Sequence, residues 1–419
     1  MGFCVSFEIN YCALLVFSGD VMSDVQLLDS DIVIVSAART PIGGFQGVFS
    51  SLSATELGAA AIKAVLDRSN LELPQIEEVV MGNVLCAGVG QAPARQAALG
   101  AGALESTACT TVSKVCGSGM KAVMLAYDQL KAGSSNALVA GGMESMTNAP
   151  YFLSRARKGM RLGHGEIIDH MFYDGLEDAY TGKAMGAYAQ EIADARSISR
   201  EAMDDYAISS LQRAQNAITA GHFADEIIAV TVKSRSGDIV VSDDEQPANA
   251  KPEKIPNLRP AFSKSGTITA ANSSSISDGA AAMLITTALH AKKMGLEPMA
   301  KLVGHATHAQ APSEFCLAPI ASIRSLLQKV AWASDEVDLF EINEAFAMVT
   351  MLAMQDVGLD HAKVNIGGGA CALGHPIGAS GARIIVTLLH ALKRLGKTKG
   401  VASLCIGGGE ATSVALEML

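Results

Sequence analysis

The chain has 419 residues, of which 49% are hydrophobic, 18% are charged and 40 are glycine. This length suggests about three domains at roughly 150 residues each, and the composition favours an α/β enzyme with a large core and tight turns. The formal net charge of −10 argues against broad nucleic-acid binding, so an anionic substrate would need a local basic patch.

The eight cysteines are scattered along the chain. They form no CxxC pair and no metal-ligand spacing with histidine, so we predict no metal site. Scattered thiols favour a reducing compartment, and we expect a cytoplasmic protein. No apolar run reaches the roughly 18 residues of a membrane span, so we expect no membrane partner.

The N-terminal stretch MGFCVSFEINYCALLVFSGD contains no Lys or Arg, which disfavours a secretory signal or a mitochondrial presequence. MGFCVS fits the loose myristoylation pattern, but so short a pattern is common by chance. We expect Met22 to be the natural start and residues 1–21 to be a poorly ordered extension. The extension and its junction, residues 1–27, therefore stand apart from the folded chain.

The N-terminal part alternates predicted strands and helices. The apolar spacing and the turn residues indicate each element in turn. In chain order we predict a strand at 32–36, a helix at 54–69, a strand at 77–85, a helix near 92–101, a strand over TACTTVS (107–113), a helix from Ser118 that ends at Gly133, and a strand at 136–142.

The C-terminal part repeats this pattern. Residues 300–305 resemble the first strand, 380–383 open a helix as 118–121 do, and the predicted strand 401–410 echoes 137–144. The offsets of the three pairs lie between 262 and 268 residues. Three matches in the same order predict a duplicated α/β unit.

A different texture separates the two halves, from 146 to 274. It is richer in Met, Tyr, Asp, Arg and Lys, and Ser199 as N-cap and Gly221 at C′ predict a helix over 199–220. We interpret this segment as an insertion that covers the site, with an ordinary surface excursion as the alternative. The predicted domains are 28–145 with 275–299, the covering insertion 146–274, and 300–419.

Cys116 lies in KVCGSGMK, between a predicted strand and a predicted helix. The positive end of a helix favours a thiolate, and Gly117 and Gly119 let a substrate approach the backbone. Cysteine is also among the most buried residue types, so a buried filler is the alternative.

Three further residues have settings that suit the same chemistry. His375, in a Gly/Pro-rich turn before a helix, can act as a base for Cys116 or can be a structural loop histidine. Asn343, after the strand-like VDLFEI, can hold a water or donate to an oxyanion, and it can also cap a helix. Cys405, before three glycines, can belong to the core or act as a base beside a nest of N–H groups.

Together these motifs resemble the thiolase family, in particular its acetyl-CoA C-acetyltransferases. The resemblance runs from about Asp31 to Leu419. Its most specific parts are GHPIGASGAR and CIGGG, both in order after the Cys116 stretch. The other motifs are SAARTPIGGFQG, GQAPARQAA, GGMESMTNAPY, TAANSSSISDGAAA and NEAF.

The resemblance implies a mechanism. Cys116 would attack an acyl-CoA thioester, His375 would take its proton, and Cys405 would remove a methyl proton from a second acetyl-CoA. Asn343 would hold a water that, with His375, stabilises the enolate. The N–H groups of Cys116 and Gly407 would form a second oxyanion hole. The implied reaction is the reversible condensation of two acetyl-CoA to acetoacetyl-CoA plus CoA, with no cofactor.

The resemblance also implies substrate contacts. Ser274 matches the position that contacts the pantetheine arm, Ala270 lies in the same loop, and Met185 and Phe346 line the acyl and CoA sites. Among the basic residues of the insertion, Lys251, Lys254 and Arg259 are candidates for the CoA phosphates, with a solvated loop as the alternative.

The chain departs from the family pattern at two positions, of which the first bears on acyl-chain specificity and neither is catalytic. Ala184 stands where short-chain members often have His, and Gly367 stands where many members have Asn or His. A degradative 3-ketoacyl-CoA thiolase of broader chain length is therefore the alternative within the family. A papain-like hydrolase does not explain Cys405, a ketoacyl synthase would use a second His there, and a lipid-binding module would not need all four polar positions.

The fold that the resemblance implies is the duplicated thiolase fold of the α/β class. Two similar halves, each with a mixed five-stranded sheet, would pack into α-β-α-β-α layers with the site between them. We expect a homo-oligomer, with the tetramer preferred over the dimer.

Overall fold

The computed structural model describes residues 27–69, 71, 75–235 and 237–419. The expectations for the start at Met22 and for the extension before residue 27 lie outside these residues. Within the described part of the chain, no helix combines the length and the apolar character that a membrane span requires.

The first half of the chain follows the predicted alternation. Each predicted strand and helix is present, with ends that differ by a few residues from the predicted ones. The elements are β1 (Ile32–Arg39), β2 (Gly43–Gly44), α1 (Ala54–Ser69), β3 (Glu78–Gly82), α2 (Pro93–Gly100), β4 (Ala108–Val112), α3 (Ser118–Ala132) and β5 (Ala137–Ser145).

The insertion contains short paired strands and two long helices. The predicted helix caps are confirmed: Ser199 Oγ accepts a hydrogen bond from the N–H of Ala202, and Gly221 is left-handed with φ of 70°. Its elements are β6 (Tyr151–Phe152), β7 (Ile168–Asp169), α4 (Met185–Ala195), α5 (Arg200–Thr219), β8 (Val230–Val232), β9 (Ile239–Val241) and α6 (Glu245–Asn249).

The remainder of the chain returns to alternating strands and helices. Its elements are β10 (Ser277–Thr287), α7 (Ala288–Met294), β11 (Ala300–Ala309), α8 (Ala318–Val330), β12 (Leu339–Ile342), α9 (Ala347–Val357), α10 (Ala370–Leu373), α11 (Ile377–Leu395), β13 (Lys399–Ile406) and β14 (Glu410–Met418). The prediction of one strand over 401–410 is wrong at its end. Gly408 and Gly409 have φ of 91° and 88°, so the chain turns back and β13 pairs antiparallel with β14.

One large sheet carries both halves, in the order β12-β13-β14-β11-β1-β10-β5-β3-β4, with β2 beside β10. The halves meet where β1 and β11 pair antiparallel. From the β1–β11 pair outward, strands at equivalent positions of the two halves run in equivalent directions. The outermost pairs, β12–β13 and β3–β4, are both parallel. In the fifth position of the C-terminal half, Val364 forms a single bridge with Phe340 instead of a full strand.

The two central strands share even an irregularity. The register of β1 shifts between Ile34 and Ser36, and that of β11 shifts between Leu302 and Gly304, 268 residues later. A bulge at equivalent points is a specific feature of strand geometry. The duplication predicted from the offsets is therefore confirmed at the level of strand order and register.

Helices α3 and α11 form the middle layer. They pack against each other and against both half-sheets in one buried apolar cluster, and α11 is buried from Ile377 to Leu392. Helices α1 and α2 cover the outer face of the N-terminal half, and α8 and α9 cover that of the C-terminal half. These are the predicted α-β-α-β-α layers. The domain boundaries given above remain a prediction.

Glycines bring the first turns of α3 and α11 into contact. A Cβ atom on Gly119 would lie 2.9 Å from the backbone nitrogen of Ala382 and 3.0 Å from the carbonyl oxygen of Gly378. Because larger residues would separate the two helices, their N-termini converge at one end of the middle layer. The predicted nucleophile and the predicted base precede these two N-termini.

Candidate active site

Cys116 lies in a strained turn between β4 and α3. Val115 has φ of 45°, which is a rare conformation for a β-branched residue. Ser118 holds the turn: its Oγ accepts from the N–H of Lys114 at 2.8 Å and donates to the carbonyl of Val115 at 2.7 Å. Such strain persists only where the surroundings fix it, and here it fixes the direction of the thiol.

The Cys116 thiol is protonated at neutral pH. Its side chain packs against an apolar cluster of Leu85, Met146, Met171 and Ile377. Burial raises the pKa of Cys116 to about 11, although the N–H groups of Gly407 and of Cys116 itself lower it. The expected thiolate at a helix N-terminus is thus outweighed by desolvation, and the nucleophile needs a base.

His375 has the protonation state of a base. Its Nδ1 lies 2.6 Å from Ser380 Oγ, which donates its single proton to the carbonyl of Pro376 at 2.9 Å. Nδ1 must then carry the ring proton, which leaves the lone pair on Nε2. Burial, assisted by the charge of Arg383, lowers the pKa of His375 to about 3, so the ring is neutral.

Asn343 donates a hydrogen bond from Nδ2 to the lone pair on His375 Nε2. Its Nδ2 is 3.4 Å from His375 Nε2, and its buried Oδ1 has no hydrogen-bond partner among the described residues. Helix α9 has Phe346 at its N-cap, so the alternative that Asn343 caps this helix is wrong. The amide therefore presents one donor and one acceptor at the site.

Cys405 and Gly407 approach Cys116 from the C-terminal half. Burial first, and then the charges of Cys316 and Cys116, raise the pKa of Cys405 well above its ordinary value. The Gly407 N–H faces the Cys116 sulfur, and a Cβ atom on Gly407 would lie 3.3 Å from Met185 Sδ. The structure thus brings both thiols, Gly407 and Met185 together at the point where the two halves and the insertion meet.

The predicted substrate contacts Ser274 and Phe346 lie where the end of the insertion meets the start of α9. Ser274 donates from its N–H and its Oγ to the carbonyl of Ala345, at 3.0 and 3.1 Å. The buried ring of Phe346 packs edge-on against Phe262 and Phe315. These contacts fix the 274 loop against the start of α9.

A cavity of about 340 Å³ is lined by three of the residues that were predicted to contact CoA. Ala270, Lys251 and Lys254 are among its lining residues, together with Ser275 and Cys371. Arg259 is exposed and lies outside this lining. The cavity therefore joins the 270 loop to two cations of the insertion.

Glu344 is a buried carboxylate next to Asn343 that the motifs did not single out. It accepts hydrogen bonds from Tyr206, Ser210, Asn365 and the N–H of Cys371 at 2.8–3.1 Å. Two of these donors belong to α5 of the insertion. The insertion consequently holds the segment that carries Asn343. An acidic residue between a buried strand pattern and the apolar start of a helix was the available signal.

Ser380 and Glu144 were also missed. Ser380 sets the tautomer of His375, as described above. Glu144, at the end of β5, accepts from the N–H of Gly378 at 2.9 Å and so connects β5 to the first turn of α11. Both residues lie in motifs that were quoted, GHPIGASGAR and GGMESMTNAPY, but their partners are visible only in the fold.

A duplicated layered fold that brings together a cysteine from each half and a neutral histidine defines the thiolase class of enzymes. Two family descriptions match the chain: "Thiolase, N-terminal domain" over residues 32–288 and "Thiolase, C-terminal domain" over residues 296–418. The chain belongs to the thiolase family.

Named relatives and solved structures agree with this assignment. An Arabidopsis thaliana protein named acetyl-CoA acetyltransferase 2 is 48% identical, over 93% of this chain and 97% of its own. A Dictyostelium discoideum probable acetyl-CoA acetyltransferase is 45% identical, over 93% and 94%. A thiolase from Ascaris suum, crystallised in complex with coenzyme A, is 40% identical with a TM-score of 0.88, over 93% and 100%.

Proposed function

We propose that this thiolase is an acetyl-CoA acetyltransferase that condenses two acetyl-CoA to acetoacetyl-CoA and CoA, reversibly. The observation that carries the proposal is the pair of neighbouring thiols, one from each half, beside a neutral histidine. One thiol can hold an acyl group while the other moves a proton. The names of the relatives support acetyl-CoA as the substrate.

In the first half-reaction Cys116 becomes acylated. His375 Nε2 takes the proton of Cys116, and the thiolate attacks the thioester carbonyl. The N–H groups of Cys116 and Gly407 stabilise the oxyanion, an effect worth on the order of 10²–10³ in rate per donor. The intermediate expels CoA as a thiolate, which takes the proton of Cys405.

In the second half-reaction the carbon–carbon bond forms. The Cys405 thiolate removes a proton from the methyl group of a second acetyl-CoA, and its raised pKa makes it a strong base. The imidazolium of His375, with a water held by Asn343, stabilises the enolate oxygen. The carbanion attacks the acyl group, and the departing Cys116 thiolate recovers its proton from His375.

The chain length of the substrate decides between the two thiolase activities. We expect the purified protein to cleave acetoacetyl-CoA with CoA more efficiently than a longer 3-ketoacyl-CoA, measured as kcat/KM. A marked preference for the longer substrate would instead establish a degradative thiolase of broader chain length. Loss of both activities in Cys116→Ala is the control that assigns them to this site.

We place CoA as substrate and product, with its pantetheine arm along Ser274, Met185 and Phe346 and its phosphates toward Lys251 and Lys254. The coenzyme A complex of the Ascaris suum thiolase and the shared cavity of the two lysines support this placement. Lys251→Ala with Lys254→Ala should raise KM for CoA and leave kcat unchanged. An unchanged KM would place the phosphates elsewhere.

We propose that the enzyme is a homotetramer that assembles through the insertion. Residues 151–180 expose large apolar side chains, including Tyr151, Leu162, Ile167 and Tyr180 at 65–99%. A segment with so many exposed large apolar side chains is a candidate interaction surface. Light scattering should give the mass of four chains, and Leu162→Ser with Ile167→Ser should reduce it. A wild-type monomer would overturn the assembly.

We further propose a cytoplasmic enzyme of lipid metabolism. The six described cysteines are free thiols, which is typical of a reducing compartment. The full chain, fused at its C-terminus to a fluorescent protein, should give diffuse fluorescence in the cytoplasm. Concentration in an organelle would refute the location without affecting the proposed reaction.

A further inference from the structure

Glu144 is fully buried at the end of β5, where the two halves meet. A Cβ atom on the neighbouring Gly142 would lie 2.9 Å from the Cα of Gly119 in α3 and 3.0 Å from that of Ala379 in α11. The carboxylate therefore lies beside the converging N-termini of both central helices, where negative charge is stabilised.

Four donors converge on this carboxylate. Oε1 accepts from Asn83 Nδ2 at 2.7 Å and from the N–H of Leu85 at 3.2 Å. Oε2 accepts from the N–H of Val84 at 3.1 Å and from that of Gly378 at 2.9 Å. Three of the donors belong to the loop after β3, and the fourth belongs to α11.

Both sets of bonds lead to reacting groups. Leu85, together with Ile377, forms part of the apolar wall of Cys116, and the N–H of Asn83 donates to the last residue of β4 at 3.0 Å. Gly378 is the second residue of α11 and follows His375 by three residues. One side chain thus holds the wall of the nucleophile and the helix that begins after the base.

We propose that Glu144 is a positioning residue that fixes Cys116 relative to His375 by bonding the loop 83–85 of one half to the first turn of α11 in the other. It touches neither substrate nor the reacting atoms in the steps above. The inference rests on the proposed function, because the two positions matter only if His375 is the base for Cys116.

The negative charge of Glu144 opposes ionisation of the Cys116 thiol, although its hydrogen bonds help to position that thiol. The ionisable groups that interact with its charge are Asp278 on β10, Cys86 in the loop after β3 and Cys116 before α3. Burial raises the pKa of Glu144 to about 7, against the bonds from its backbone donors. In turn, the ionised carboxylate raises the pKa values of Cys116 and Cys86.

Loss of the hydrogen bonds of Glu144 should therefore lower activity, whereas loss of its charge should make the Cys116 thiol easier to ionise. In Glu144→Gln an amide group faces N–H donors, so the bridge weakens and Cys116 is displaced from His375. At the same time the negative charge near the thiol is lost, which makes the thiol more acidic. A residue that merely filled space would produce neither change.

The test uses the full chain with Glu144→Gln and measures two quantities. The midpoint of the pH profile for alkylation of Cys116 by iodoacetamide should move to lower pH. The kcat for cleavage of acetoacetyl-CoA should fall on the order of 10–10²-fold with KM for CoA unchanged, the usual result of a small misplacement. An unchanged kcat overturns the proposal, with or without a shifted midpoint.

Two further variants keep the test decisive. Asp338→Asn is the matched control, because Asp338 also accepts two backbone N–H bonds, from Thr398 and Lys399 at 3.0 Å, but at the far end of β13. It should change neither quantity. If Glu144→Gln fails to fold, Asn83→Ala removes one donor and should lower kcat roughly fivefold with the midpoint unchanged; an unchanged kcat there overturns the proposal.

The same measurements separate this inference from the proposed function. Alkylation of Cys116 requires no CoA substrate. A wild-type protein without acetyl transfer would refute the proposed function, and the alkylation midpoint would still report whether the charge of Glu144 reaches Cys116. An unshifted midpoint in Glu144→Gln would refute the electrostatic part alone and, with a normal kcat, the whole inference.

Discussion

The two halves of the molecule place different chemistry at equivalent points of one scaffold. In the N-terminal half Cys116 comes two residues before α3, and in the C-terminal half His375 comes two residues before α11. Both helices lie in the middle layer, and their first turns touch. The duplication thus delivers the proposed nucleophile and the proposed base to the same place from opposite sides.

The ends of the equivalent strands β5 and β13 diverge as well. The penultimate residue of β5 is Glu144, whose carboxylate connects backbone segments, whereas that of β13 is Cys405, and β13 is followed by three glycines. One strand end became a support and the other became reactive. The comparison teaches that the scaffold was repeated but the division of labour was not.

Cys116→Ala should have the largest effect. Without the nucleophile no acyl-enzyme forms, so condensation and thiolysis should both fall on the order of 10⁴-fold or more. Steady-state assays in both directions measure this, with the thermal unfolding midpoint as a control for folding. Substantial residual activity would mean that the N-terminal half does not supply the nucleophile.

Cys405→Ser should separate the two half-reactions. A serine hydroxyl is a far weaker acid than a thiol, so proton abstraction from the methyl group should slow by about 10²–10⁴-fold. Condensation of acetyl-CoA should fall by that factor, while acylation of Cys116 persists. Condensation at the wild-type rate would remove the C-terminal strand end from the chemistry.

His375 should make the protein sensitive to acid. Its pKa is lowered to about 3, so between its ordinary value of 6.5 and 3 the unfolded chain binds the proton and the folded chain does not. Stability should therefore fall as the pH decreases through this window. In His375→Asn this part of the decrease should disappear from urea unfolding curves, and an identical pH dependence would contradict the neutral buried ring.

The ion pair of Lys114 and Glu410 joins the Cys116 turn to the first residue of β14, and it should have the smallest effect. Both side chains are partly exposed, so its contribution is about 1 kcal/mol or less. Lys114→Met and Glu410→Gln should each lower kcat up to about fivefold. The exchange Lys114→Glu with Glu410→Lys should restore it, whereas Arg196→Met, in the pair with Asp356, should have no effect.

Much of the fold was predictable because its signals are local. Strand and helix periodicities, the caps at Ser199 and Gly221, and the repeated offsets all arise within short windows of sequence. The strand predicted over 401–410 failed because the apolar pattern continues across Gly408 and Gly409. Their left-handed backbone, which reverses the chain, leaves the pattern unchanged.

The sequence marked the residues to which we assign the chemistry, but not the groups that hold them in place. Glycine-rich turns marked Cys116, His375 and Cys405, but Glu144 and Gly378 are 234 residues apart in the chain. A bond of that span has no local signal. The helix N-terminus that favours a thiolate at Cys116 is visible in the sequence, but the opposing desolvation is not, since it depends on the apolar wall that the fold assembles around the thiol.

The most direct test of the shared site is to incubate Cys405→Ser with acetyl-CoA and map the product by proteolysis and mass spectrometry. We predict the mass of one acetyl group on the peptide that contains Cys116, with little acetoacetyl-CoA formed. Acetylation at another residue, or none while condensation continues, would contradict a division of the chemistry between the two halves.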